Sequence, residues 1–384
     1  MRERVSGNSG PIMKSSALPA AWFCLFCLLA FRAGEAGEKP TPKTEKAQVA
    51  AIRAGKDLKG APPKFVDAIR RIDQVDGRME FDEVGNLIGV DLSSGRLSVG
   101  DAEVDLLAAL QTLRKARLAG GQITNDGVAS LKRLTRLRLL DLRGCAQIDQ
   151  SGLRQLRELK SLRGLRLRGD RITNATMKLL AEFPALTSLT IEDAPADDAG
   201  LAEIKNLPIE DLTLFRCYGI SDEGLRCLKN FINLKQLSLR DAPINGSGLV
   251  HIRDKEKLAS LELSGTGCND AGLAHLKGLK RLARLDLRQA QITDAGLAVV
   301  GSLPSLEQLD LEDTGISDAG MAHLAGLGKL QALNVKLNGN ITDAALDNLG
   351  KLGRLKTLEI IQTGISAEGA ERLRKLLPGC QVKQ

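Results

Sequence analysis

Isoleucine returns at one fixed interval along this chain of 384 residues. Ile148, Ile172, Ile220, Ile244, Ile292 and Ile316 lie 24 residues apart or at multiples of 24, with Ala196 and Cys268 in the two intervening slots. One-residue insertions carry the ladder out to Ile123 on one side and to Ile341 and Ile365 on the other. A unit this short cannot bury its own apolar face, so it must stack on copies of itself. The chain is therefore one elongated array rather than two or three globular domains.

The clearest copy, Ile292 to Gly315, reads ITDAGLAVVGSLPSLEQLDLEDTG. Leu306, Leu309 and Leu311 form L-x-x-L-x-L, whose final alternation describes a short strand with one buried face. Leu297, Val300 and Leu303 recur every third residue, the buried stripe of a short helix. Thr293 and Asp294 stand at its start, where both residue types accept hydrogen bonds from unpaired N–H groups. The recurring Asp294, Asp318 and Asp343 are accordingly expected to cap helices, aided by the helix dipole, rather than to bind calcium.

With L-x-x-L-x-L, a small polar residue and then I-T-D-x-G-L, the chain resembles the leucine-rich-repeat family over roughly residues 81–384, in about eleven copies. Cys or Thr closing the strand is similar to the cysteine-containing class of F-box adaptor proteins, and the whole is similar to bacterial secreted repeat proteins. The resemblance implies an α/β solenoid, a horseshoe with a parallel sheet on the concave face and short helices on the convex face. It also suggests an adaptor role. An F-box upstream of the repeats would be needed for that, and the expectation here is that none is present.

The expected organisation is a signal peptide at 1–36, a disordered linker at 37–64, and an N-terminal cap of helix plus hairpin at 65–96. Repeats of about 24 residues then fill 97–375, and a C-terminal cap 376–384. Lys14 precedes the apolar run Ala17–Phe31, and Gly34 and Ala36 supply small residues for cleavage. The run is shorter than the ~20 residues that span a bilayer. Contact with a membrane is expected only if this signal stays uncleaved as an anchor, and Met13 is an alternative start. Export to a periplasm, cell envelope or extracellular space follows. GEKPTPKTEK has the composition of a linker.

No catalytic constellation, metal site or cofactor motif is read. Cys145 and Cys217 share one slot three copies apart, roughly 14 Å at strand spacing, too far for a disulfide. His251, His275 and His323 share a helix column that other copies fill with Glu203, Val299 and Asn348, so they read as surface residues. Glu262, Asp286 and Asp310 put carboxylates on neighbouring strands, the raw material of a glycosidase, but an open arc offers no sugar pocket.

What remains is a binding surface. The x residues of x-L-x-L-x face the concave side. From Leu113 to Arg171 there are fifteen Lys or Arg against five acids, a net of +10, while Thr190 to Leu212 holds seven acids and one Lys, a net of −6. Phe215 is the one aromatic placed on the ladder, with Tyr218 just beyond it. Hot spots favour aromatic and Arg anchors, so the candidate contact residues are Phe215, Tyr218, Arg240, Glu192, Arg168, Arg166, Arg143 and Arg117. The expected function is a non-catalytic exported scaffold that recognises a protein partner. An anionic glycan or envelope polymer on the basic half is the alternative. Nucleic acid is not expected, because no aromatic residues interleave the arginines to stack bases.

Overall fold

L-x-L places leucines on one side of a strand, and stacking copies aligns those leucines into a spine. The computed structural model describes residues 43–56, 61–93 and 98–384, and in it this spine is continuous. Fourteen strands form one open sheet in chain order. They are β1 Arg78–Phe81, β2 Leu87–Asp91, β3 Lys115–Arg117, β4 Leu139–Asp141, β5 Gly164–Arg168, β6 Ser188–Glu192, β7 Asp211–Phe215, β8 Gln236–Ser238, β9 Ser260–Glu262, β10 Arg284–Asp286, β11 Gln308–Asp310, β12 Ala332–Asn334, β13 Thr357–Glu359 and β14 Gln381–Lys383. Only the β1–β2 hairpin is antiparallel; every later pair is parallel, in a register that advances by one copy. Leu285 pairs with Leu309 and Leu309 with Leu333, all nearly inaccessible to solvent. Each such side chain contributes about 1.5–3 kcal/mol by leaving water.

The isoleucine ladder lies on the same spine: Ile148, Ile172, Ile220, Ile244, Ile292 and Ile316 are buried, as are Ala196 and Cys268. Short α or 3₁₀ segments follow each Ile, such as Asp294–Val300 and Asp318–Leu324. Their caps are Thr293 and Ser317, whose side chains accept from Ala295 N–H and Ala319 N–H.

The recurring Asp does something other than capping. Asp294 Oδ1 accepts from Ser317 N–H at 2.8 Å and its Oδ2 from Ser317 Oγ at 2.6 Å, one copy further on. Asp318 binds Thr342 in the same way, Asp343 binds Ser366, and Asp198 binds Ser221. The carboxylate is a clamp between copies. This accounts for the glycine two residues beyond Asp198, Asp294 and Asp318, although Asp343 is followed by Ala345, which lies opposite an intact Asp318 clamp. At Gly224 a Cβ would overlap Asp198 Oδ1 from the preceding copy, and at Gly320 it would overlap Asp294 Oδ1. Where Gln150 stands in place of the Asp, the next copy carries Thr176 in place of glycine.

One residue per copy, just past the strand, turns left-handed. Gly144 (φ 72°), Asp193 (49°), Arg216 (52°), Asp241 (56°) and Leu337 (60°) are examples. This reverses the chain from the strand toward the isoleucine slot.

At the N-terminal end, the expected linker is corrected in part. Residues 45–53 form a docked helix, α1 (Glu45–Arg53), capped by Thr44 and burying Val49 and Ile52. Glu45 Oε2 accepts from Leu87 N–H at 2.5 Å, and Arg53 pairs with Asp73 at 2.6 Å. Apolar residues three apart and a good cap outweigh a linker-like composition. A second helix, α2 (Pro63–Gln74), buries Phe65, Ile69 and Ile72. The signal at 1–36 and the first part of the linker lie outside the described residues. At the other end, Arg374 from helix Ala367–Leu376 donates to the Val382 carbonyl on the edge strand β14 at 3.5 Å. That contact helps blunt an open edge.

Candidate functional site

Every strand presents up to three outward residues, so the sheet face is a grid whose rungs are copies. Its central column runs Arg117, Asp141, Arg166, Thr190, Thr213, Ser238, Glu262, Asp286, Asp310, Asn334, Glu359, Lys383. The next column holds Arg143, Arg168, Glu192, Phe215 and Arg240, extended past the strands by hydrogen bonds such as Gly169 N–H to the Glu192 carbonyl.

The structure brings most of the candidate residues together on β4–β8. Arg143 grips Asp141, whose side chain is almost fully buried, at 2.8 Å and reaches Glu192 at 2.8 Å. The Asp141 hydrogen bond, with Glu192 behind it, raises the Arg143 pKa. Arg166 lies 3.7 Å from the same Asp141. Arg168 pairs with Asp193 at 2.5 Å, and Asp193 also binds Arg216 at 2.5 and 2.8 Å. The Arg216 hydrogen bond, outweighing the opposing effect of burial, sets the Asp193 carboxyl below the ordinary carboxylate range.

Phe215 is the hub. The Arg216 guanidinium lies over its ring at 4.2 Å from the centroid and Arg240 at 4.7 Å. Each such contact contributes ~0.5–1 kcal/mol when exposed. Arg240 is held only loosely, 4.0 Å from Asp241. Tyr218 stays exposed on the following loop, 69% accessible. Arg117 is apart from this cluster, paired with Asp91 at 3.3 Å.

Asp193 and Arg216 were not among the candidates. Strict alternation along a strand points them away from the face; their left-handed backbone returns them to it. A polar residue in the slot that other copies fill with Gly120 or Gly144 is the available signal.

A second cluster lies on β10–β14. Arg288 spans Asp286 (2.6 Å) and Asp310 (3.6 Å), while Lys336 joins Glu312 and Glu359 at 3.2 and 3.4 Å. Burial first, then the Asp286 charge, pushes the Asp310 carboxyl up. Glu262, Asp286 and Asp310 do share adjacent rungs, beside an open cleft of about 360 Å³. Asp286 is taken up by Arg288, as a structural carboxylate would be.

The cysteines are built into the turns. Cys145 Sγ donates to the Leu118 carbonyl and Cys217 Sγ to the Ile191 carbonyl, and burial pushes both thiols up to about 11. All five described cysteines are free. His251 is half-buried, its pKa lowered by burial, with Nδ1 lacking a hydrogen bond.

A leucine-rich-repeat family model matches residues 302–325. Among solved structures, an internalin, InlF, from Listeria monocytogenes is similar at 20% identity and TM-score 0.55, over 88% of this chain and 94% of that one. The complex of Rad7 and Elc1 in yeast is similar at 17% identity and TM-score 0.58, over 76% and 78%. A search of curated proteins found no match. Open sheet, stacked copies and family match define a repeat solenoid. The chain has a leucine-rich-repeat fold, with one of its copies matched by the family model.

Proposed function

We propose that this chain is an exported, non-catalytic scaffold that recognises a protein partner on the concave sheet face, with Phe215 and Arg240 at the centre of contact. The repeat fold supports a protein-interaction role in general, and a structurally similar repeat protein, Rad7, is in complex with a second protein, Elc1. The observation that carries the reading is the Phe215 ring contacted by two guanidiniums, one of them, Arg216, braced by Asp193. A rigid aromatic anchor loses little freedom on binding, and the loosely held Arg beside it remains able to pair with a partner's carboxylate. Glu192, Arg143, Arg166 and Arg168 form the braced surround, and Tyr218 an exposed flank. Export rests on the apolar run Ala17–Phe31.

Glycan binding by Arg143, Arg166 and Arg168 is the weaker reading, because each already faces a carboxylate. Capture by the purified protein tests the proposal. Phe215→Ala and Arg240→Ala should each weaken retention of a partner held by the parent chain at least about tenfold, the scale of a 1.4 kcal/mol anchor. Unchanged retention by both would remove the sheet-face reading.

A further inference from the structure

Charge on this solenoid is sorted by face, in a way that no linear count reveals. On the sheet face from β3 onward, cations meet carboxylates: Lys115 with Glu80, Arg288 with Asp286, Lys383 with Glu359. Arg284, which donates to Gln308, is the one described cation there with no carboxylate within 4.0 Å. The rim where the chain enters each strand is different. Its four-residue lead-ins read, copy by copy from 111–114 to 353–356, QTLR, TRLR, KSLR, PALT, LPIE, INLK, EKLA, KRLA, PSLE, GKLQ and GRLK. They hold twelve Lys or Arg against three Glu, a net of +9, whereas the whole chain carries +7. Among the described residues only Arg114, 3.9 Å from Asp82, and Lys235, 2.6 Å from Glu210, are ion-paired. The other ten are exposed and have no carboxylate within reach.

The rim also has a seat. Ala259 and Ala283 end their lead-ins without long side chains and floor a groove of about 540 Å³. Lys235, Lys257, Arg281 and Lys329 wall it, with Glu307 the one acid. Lys257 donates to Asn233 at 2.6 Å, which holds its ammonium along the rim.

We infer that this strand-entry rim is a binding track for a linear acidic polysaccharide, seated in the groove beside Lys257, Arg281 and Lys329. Rungs spaced ~4.8 Å apart are close to the length of one sugar in an extended chain, so uronate carboxylates along it can meet Lys257 and Arg281 on adjacent copies and Lys329 two copies further on. No aromatic residue occurs in any lead-in, which disfavours stacking of nucleic-acid bases. Ile232 is the single exposed large hydrophobic there among the described residues, so the rim lacks the apolar side chains that a bilayer surface takes up. The track lies on a different side of the strands from Phe215 and does not depend on the sheet-face reading.

The test is binding of the full chain to immobilised polygalacturonate across a salt series, with a fully methyl-esterified polymer and phosphatidylglycerol vesicles as comparisons. Binding should weaken steeply with salt. Lys257→Ser, Arg281→Ser and Lys329→Ser combined should lower affinity at least about tenfold and flatten the salt dependence. Arg138→Ser with Arg163→Ser should do so in part, and gives a second variant should the triple one misfold, which circular dichroism reports. Removing three helix-side charges, Lys178, Arg226 and Arg253, should leave binding unchanged. An equal loss in that control, equal binding of the esterified polymer, or binding to vesicles without binding to polygalacturonate would each overturn the inference.

Discussion

The clamp between copies can be broken from either side, and the two ways should not add. Asp198 accepts from Ser221 N–H at 2.8 Å and from Ser221 Oγ at 2.6 Å, and both residues are half-buried. Hydrogen bonds to a charged group contribute roughly 1.5–3 kcal/mol each. Water can reach part of this site and repay some of the loss, so Asp198→Ala should cost about 2–3 kcal/mol. Gly224→Ala places a methyl where Asp198 Oδ1 sits, so the carboxylate must swing off Ser221, forfeiting much the same interactions at about 2–3 kcal/mol. In the double variant the carboxylate is gone, and of the three nearest atoms only the residue 198 Cα, 3.2 Å from the methyl, remains. The second substitution should then add little, a coupling of ~2–3 kcal/mol. Urea unfolding followed by far-ultraviolet circular dichroism measures all three, and the slope of the transition reports whether stacked copies still unfold together. Additive costs would refute the clamp and leave glycine with a purely helical explanation.

Gly144, at φ 72°, should lose about 1–2 kcal/mol on change to Ala, while Gly339, with open space around it and no positive φ, should lose nothing, by the same titration. The Asp193 carboxyl is depressed in the folded state, so its contribution is complete above its unfolded pKa, near 4, and disappears as pH falls through the lower folded value. The stability gap between the parent and Asp193→Asn should therefore be flat from pH 7 to about 5 and close below about pH 4. Thiol labelling resolved by mass spectrometry should find Cys380 reacting before the other four described cysteines. Cys145 and Cys217 near 11 and Cys227 and Cys268 near 12 should label only on unfolding, and early labelling of Cys217 would contradict its burial.

What the period made legible was register. Once Ile292 and Ile316 occupy equivalent slots, the pairing of Leu285 with Leu309 and the facing of Phe215 across from Glu192 follow, and both are found. Helix α1 was hidden because two apolar residues, Val49 and Ile52, are few beside the lysines and glutamates around them. The Asp was read as a cap because spacing identifies a helix start without saying whose amide the carboxylate will meet; stacking supplies a nearer partner in the next copy. The clue was internal: glycine follows two residues after most of these Asp residues, Ala345 being the exception, and yields to Thr176 where Gln150 precedes it. Charge shows the same limit more sharply. The excess of +10 between Leu113 and Arg171 suggests one basic half, yet Arg143 and Arg166 share Asp141 while Arg138 and Arg163, only a few residues away, face solvent unpaired. Position within the 24-residue unit, rather than position along the chain, decides whether an arginine is structural or free to meet a ligand.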